Sequence, residues 1–253
     1  MFQLERIDSI LEYIKENKYA KIADLSDRYG VSKVTIRRDI NELEAQGKII
    51  VAHGGVSAIE ERYSYEIPYV HKSEINKEAK ERIGKCAAKL INDNDIVILD
   101  SGSTTLEIAK RISSKNVTII TNDIKISMEI ALKSNINTIV TGGKIEKDVY
   151  TLTGCDTIEY FRKLRVNKVF LGGDALDFEF GLSNRSLQEG KVKNAMIESS
   201  KEVILVIDHS KLNKEVFYSV CPISKLDKII IDSMTNIEKE KFASLDIEVI
   251  IAE

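Results

Sequence analysis

The sequence predicts an α/β protein in two parts. An N-terminal winged helix-turn-helix is expected over residues 1–57, a linker over 58–73, and a larger α/β domain with a mostly parallel sheet over 74–253. Three observations predict this. Apolar residues recur at helical spacing from Leu4 to Leu43, broken by a turn at Gly30. Gly54-Gly55 stands between two short apolar runs, the pattern of a tight hairpin. Beyond residue 74, short wholly apolar runs alternate with amphipathic segments, as in a parallel sheet covered by helices on both faces.

Leu4, Ile7, Leu11 and Ile14 share one face of a first helix. A second, carrying Ile22, Leu25 and Tyr29, ends at Gly30, the residue type that most easily adopts a left-handed C-terminal conformation. Ser32 caps a third helix, whose core face is Ile36, Ile40 and Leu43 and which stops at Gly47. KIIVAHGGVSAI supplies the hairpin. Residues 58–73 show no sustained period and include Pro68, one of only two prolines. A helix with Ile75, Ala79, Ile83 and Leu90 then leads to a strand at Ile96–Leu99. Further apolar runs follow at Val117–Ile120, Thr138–Val140, Lys168–Leu171, Val203–Ile207, Lys228–Ile231 and Glu248–Ile251.

Composition excludes several classes. The chain has 253 residues, 43% hydrophobic and 30% charged, a globular balance. No apolar run reaches the roughly 18 residues of a membrane span. Charges run through the opening MFQLERIDSILEYIKENK and leave no signal-peptide core. A cytoplasmic protein with no membrane partner is expected. Cys86, Cys155 and Cys221 lie far apart and read as reduced structural thiols. His53, His71 and His209 lack metal-ligand spacing, so neither a metal nor a cofactor is expected.

The segment AKIADLSDRYGVSKVTIRRDINELEAQGKI has the plan of a helix-turn-helix, in which the second helix enters the major groove of DNA. At about 3.6 residues per turn, Val34, Thr35, Arg37, Arg38 and Asn41 lie away from the apolar face. Arginine can grip guanine edges or phosphates with two prongs. Thr35 can reach a phosphate or a thymine methyl, and Ser32 and Lys33 stand where the helix N-terminus meets the DNA backbone. The competing reading is a solvated charged face. Charge does not decide between them: the net charge is −3, and residues 1–57 hold nine Lys/Arg and nine Asp/Glu. His53 and Gly54 stand at the tip of the hairpin. His53 is either a contact to the DNA backbone or a residue that fixes the turn.

In the larger domain, the strand IVILD runs through Asp100 into Ser101, Gly102, Ser103, Thr104 and Thr105, where a helix begins. Outward N–H groups, a helix dipole and hydroxyls form an anion cradle there, although an ordinary capping turn has the same composition. Other polar turns follow apolar strands: Thr121-Asn122-Asp123, Gly142-Gly143-Lys144, Gly172-Gly173-Asp174 and the turn ending in Lys211. Ligands of open α/β sheets bind at the carboxyl ends of strands, so the five turns are expected to line one crevice. Glu189 and Lys193, four apart on a helix, form either an exposed ion pair or part of that crevice.

The run LSDRYGVSKVTIRRDINELEAQGKI, followed by HGG, closely resembles the DeoR family of bacterial repressors. That family's signature is VSxxTIRRDLxxLExxG with a wing ending in HGG. Here Ile40 replaces the usual Leu. Val51 stands where the family commonly has Arg, with Lys48 the candidate substitute for a wing contact. LDSGSTT, TND, TGGK, FLGGD, GLS and DHSK also stand in the family's order, so the resemblance extends to about Asp232. The family's effector domain is related to ribose-5-phosphate isomerase. GGDALD is similar to that enzyme's GADEVD segment and DHSK to its DxSK segment.

The resemblance implies a sugar phosphate held by Ser101 to Thr105, with Asp174 and Lys211 facing the sugar hydroxyls and both Glu189 and Lys193 in the site. The isomerase's carboxylate follows its glycine-rich segment much sooner than Glu189 follows Gly181, so turnover is not expected. The reading is a repressor of a carbohydrate operon that binds double-stranded operator DNA as a homo-oligomer, a dimer or a tetramer, under control of a phosphorylated sugar. The rival readings are a sugar-phosphate isomerase with an added DNA-binding module, and a constitutive DNA-binding protein with an inert effector domain.

Overall fold

A computed structural model describes residues 3–17, 19–45, 48–52, 55–58, 69–245 and 247–253. The chain divides into two compact units, Met1–Tyr65 and Glu66–Glu253. Among the described residues no helix is long and apolar enough to cross a membrane.

The first unit holds α1 (Gln3–Asn17), β1 (Ala20–Lys21), α2 (Ile22–Tyr29), α3 (Lys33–Ala45), β2 (Ile49–Ala52) and β3 (Gly55–Ala58). Its core is the set that helical periodicity picks out: Ile7, Ile10, Leu11, Ile14, Leu25, Ile36, Ile40 and Leu43, closed by Ala20, Ile49 and Val56 from the strands. Gly30 ends α2 at φ 63° with its N–H on the Ser26 carbonyl. The strands are antiparallel in the order β1-β3-β2, with Val56 opposite both Ala20 and Val51. Gly55 opens β3, and a Cβ there would stand 2.6 Å from the Ala20 carbonyl oxygen, so glycine lets β1 and β3 approach. His53 and Gly54 lie outside the described residues, as do residues 59–68 of the segment read as a linker. The end of that segment is helical.

The second unit begins with that helix, α4 (Tyr69–Glu74). It continues through α5 (Lys77–Ala88), β4 (Ile96–Leu99), α6 (Ser103–Arg111), β5 (Val117–Thr121), α7 (Ile124–Ala131), β6 (Ile136–Val140), β7 (Lys144–Glu146), β8 (Thr151–Thr153) and α8 (Cys155–Arg162). Then come β9 (Val166–Leu171), β10 (Ala175–Asp177), β11 (Gly181–Asn184), α9 (Leu187–Ser199), β12 (Ser200–Val206), β13 (Tyr218–Cys221), β14 (Lys228–Ile231), α10 (Asn236–Ala243) and β15 (Glu248–Ile251).

Seven strands form one parallel sheet in the order β15-β14-β12-β9-β4-β5-β6. These are the seven apolar runs of the sequence. They read as unbroken hydrophobic stretches because helices cover both faces, and one apolar cluster lies on each side of the sheet. The smaller antiparallel pieces, β10-β11-β13 and β7-β8, gave no such signal.

Chain order fixes where a ligand can enter. From β4 the chain builds outward through β5 to β6, then returns and builds the other way from β9. The helices after β4 and β9 diverge there, opening a crevice at the carboxyl ends of the two strands.

Candidate functional site

Two surfaces carry the chemistry, one in each unit. On α3 the core face is Ile36, Ile40 and Leu43, each at most 1% exposed. The opposite face is centred on Val34, which is 76% exposed, with Arg38 and Asn41 beside it and Lys33 and Arg37 on the flanks. An aliphatic side chain so exposed gains nothing from the fold. Ser32 is the N-cap: its Oγ accepts the Thr35 N–H at 3.2 Å and lies 3.0 Å from the Thr35 hydroxyl. Arg38 Nη2 donates to Gln3 Oε1 at 2.8 Å, a contact that can yield to DNA because both groups are at the surface. Asp39, in the same motif, is fully buried and accepts from Arg6 Nε at 2.6 Å and Nη2 at 3.2 Å, tying α1 to α3. It positions the reading face rather than belonging to it.

In the second unit, the β4/β9 switch point opens into a crevice enclosing about 620 Å³, its mouth included. The turn Ser101–Thr105 forms one wall. α6 starts at Ser103 with Gly102 at the N-cap and no side-chain cap, so its first N–H groups are not taken up by a capping side chain. Ser103, Thr104 and Thr105 all line the crevice; Thr105 is fully buried and its hydroxyl donates to the Gly102 carbonyl at 3.0 Å. Gly172, Gly173 and Asp174 form the facing wall, and Asp208 and Lys211 enter from the turn after β12.

Among the described residues, four lysines and three carboxylates line this space: Lys72, Lys80, Lys193 and Lys211 against Asp174, Glu189 and Asp208, with Asp100 buried just behind them. Lys193 Nζ pairs with Asp100 and also donates to the Gly172 carbonyl at 3.2 Å, while Asp100 accepts the Gly172 N–H at 2.9 Å. Burial pushes the Asp100 carboxyl up against the pull of Lys193; burial opposes the Lys193 charge too, but Asp100 and Glu189 outweigh it and hold that ammonium up. Asp174 accepts from Lys72 Nζ at 3.0 Å and from the Arg185 N–H at 3.0 Å. Burial would raise Asp174, yet Lys72 and Lys211 outweigh it and hold the carboxyl well below the usual range. Burial lowers Lys211, with Asp174 and Asp208 acting against the fall. Burial lowers Lys80 as well, to about 8.

Of the five turns expected to share the crevice, three meet there and two do not. Thr121, Asn122 and Asp123 are buried behind it. Asp123 caps α7 through the N–H groups of Lys125 and Ile126, and its other oxygen accepts the Ser101 hydroxyl at 2.8 Å, so this turn supports the cradle from a second layer. Gly142, Gly143 and Lys144 follow β6, the outer strand, two positions from the switch point. There the Gly142 carbonyl accepts from Thr157 Oγ1 at 2.8 Å and Lys144 pairs with Glu146 at 3.1 Å. Sheet order, which the sequence does not print, separates them from the crevice. Glu189 and Lys193 are 8% and 3% exposed, so the alternative of an exposed surface pair fails. Glu189 Oε2 accepts from Asn184 Nδ2 at 3.0 Å.

Sequence reasoning missed Lys72, Lys80 and Asn184. Lys80 left a signal: it stands three and seven residues before Ile83 and Ala87, on the helix face that is otherwise buried. Lys72 left none, because its position depends on how α4 packs.

Comparison with known proteins gives matches over most of the chain. Residues 6–62 match the DeoR-like helix-turn-helix domain and residues 75–233 the DeoR C-terminal sensor domain. The chain is 33% identical over 229 residues to the HTH-type transcriptional regulator IolR of Bacillus subtilis, covering 90% of each. It is 34% identical over 237 residues to the HTH-type transcriptional repressor GlcR of the same organism, covering 93% of this chain and 91% of that one. Among solved structures, ribose 5-phosphate isomerase A from Methanocaldococcus jannaschii aligns with a TM-score of 0.40 and 18% identity, covering 54% of this chain and 55% of that one.

Proposed function

The chain belongs to the DeoR family of transcription regulators, and from that membership we propose that it represses a carbohydrate-metabolism operon under control of a phosphorylated sugar. α3 reads double-stranded operator DNA: Val34, Arg37, Arg38 and Asn41 face base edges, and Ser32, Lys33 and Thr35 lie against backbone phosphate. His53 and Gly54 of the wing are proposed to touch the DNA backbone. A cytoplasmic homo-oligomer, dimer or tetramer, presents paired heads to paired half-sites.

One observation carries the sensing half: a helix N-terminus without a side-chain cap opens onto a crevice lined by four lysines. The N–H groups of α6, the hydroxyls of Ser103 and Thr104, and Lys80 suit a phosphoryl group. Asp174, Asp208, Glu189 and Lys211 suit sugar hydroxyls. Thr121 to Asp123 act through Ser101, and Gly142 to Lys144 have no part in this site. Binding without turnover is favoured because Asp174 is held well below the usual carboxylate range, which makes it an acceptor and a poor proton abstractor.

The test is operator binding by fluorescence anisotropy, on duplexes selected by the protein from a random pool, with and without sugar phosphates. An effector should change operator affinity at least about fivefold. Thr104→Ala removes a hydrogen bond to a charged group, about 1.5 kcal/mol or more. It should therefore weaken the effector roughly tenfold while operator affinity alone stays unchanged. Absence of any response to a broad panel refutes the sensing role.

A further inference from the structure

α4 is a helix of six residues, yet polar groups from three other elements fasten its C-terminal half. Lys72 Nζ pairs with Asp174 Oδ1 at 3.0 Å. Lys80 Nζ, from α5, donates to the carbonyls of Lys72 and Ile75, the latter at 2.6 Å, and so caps the helix. Ser103 Oγ donates to the Lys72 carbonyl at 3.4 Å. Just beyond the helix, Asn76 Nδ2 donates to Asp208 Oδ1 at 2.7 Å. Asp174, Lys80, Ser103 and Asp208, the partners in these four contacts, are also walls of the crevice.

An anionic polyol needs these same groups. Ser103 has one hydroxyl proton, and a phosphoryl oxygen that takes it leaves the Lys72 carbonyl without it. A charged phosphoryl oxygen also draws the Lys80 ammonium more strongly than neutral carbonyls do. Ligand hydroxyls that donate to Asp174 and Asp208 share those carboxylates with Lys72 and Asn76 and so weaken the hold on both. The start of α4 is fastened differently: the Tyr69 N–H donates to the Asp148 carbonyl at 2.8 Å, and Lys125 Nζ sits 4.2 Å from the Tyr69 ring centre. Asp148 and Lys125 are not crevice walls.

We propose that the effector and α4 compete for one set of groups, so that filling the crevice unfastens Lys72–Asn76 while Tyr69 stays anchored. α4 begins four residues after Tyr65, where the helix-turn-helix unit ends, so the released segment is the one through which the chain passes from sensor to DNA-binding head. This inference rests on the sugar-phosphate reading of the crevice.

The experiment uses the full chain with ribose 5-phosphate, fructose 1-phosphate and fructose 6-phosphate as probes. Thermal shift and calorimetry report binding, and amide hydrogen exchange reports residues 69–76. A probe that binds should accelerate exchange there. Lys72→Met should lower its half-saturating concentration at least about threefold, because a competitor is gone, and should cut its effect on operator affinity to under about twofold. Asn76→Gly, which tolerates the positive φ of that position, should act in the same direction and serves if the lysine variant folds poorly. Saturable binding with exchange unchanged or slowed, or with affinity lowered in Lys72→Met, overturns the competition and leaves the sugar-phosphate reading intact. If none of the probes binds, both fall together.

Discussion

The most exacting perturbation is Asp39→Ala, in the middle of the recognition helix. Asp39 is fully buried and takes two hydrogen bonds from Arg6, which is 9% exposed. Asp39 also helps to hold the Arg6 guanidinium protonated, adding to their hydrogen bond against the cost of burial. Removing the carboxylate leaves a guanidinium in the core with no counter-charge, a loss of about 3–5 kcal/mol when one partner of a buried pair is deleted. Arg6 keeps a little solvent contact, so the low end, about 3 kcal/mol, applies. A unit of this length has roughly 3–10 kcal/mol in total. The variant should therefore lower the melting of the helix-turn-helix unit by about 12–24 °C. Scanning calorimetry of the full chain should show that transition moving away from an unchanged one for the larger unit. Operator binding should fail at temperatures where sugar-phosphate binding persists. Arg6→Met combined with Asp39→Leu should recover much of the loss, because no charge is then stranded. A shift under about 4 °C for Asp39→Ala, or equal shifts of both transitions, would refute the reasoning.

Two further outcomes follow from the same surfaces. Arg38→Ala gives up an exposed hydrogen bond to Gln3, so stability should change by no more than about 0.5 kcal/mol while operator affinity falls roughly tenfold or more; unaltered DNA binding would remove Arg38 from the interface. Burial sets the Lys80 ammonium at about 8 rather than its ordinary 10.5. Its charge is present below that pH and lost above it, while a sugar phosphate stays dianionic, so effector affinity measured by calorimetry should fall between about pH 7 and 9 and lose that slope in Lys80→Gln. In stability the sign is opposite: the unfolded chain holds this proton up to its ordinary value, so Lys80 makes the fold more stable as pH rises from about 8 toward 10.5.

Much of this was written in local pattern. The seven sheet strands, the α3 core of Ile36, Ile40 and Leu43, the left-handed stop at Gly30 and the cap at Ser32 were legible because each depends on neighbours within a few residues. The Ser101–Thr105 turn was legible for the same reason, since a strand running into small hydroxyl residues opens a helix wherever it lies. What local pattern could not carry was adjacency. Only the sheet order brings the turns after β4 and β9 together and sends Gly142–Lys144 to the far edge. Only the packing of α4 makes Lys72 a partner of Asp174, a hundred residues away in the chain. Burial of charge belongs to this second kind of fact: Lys80 and Asp39 look like surface residues in sequence, and the partners that make their burial tolerable are assembled by the tertiary structure.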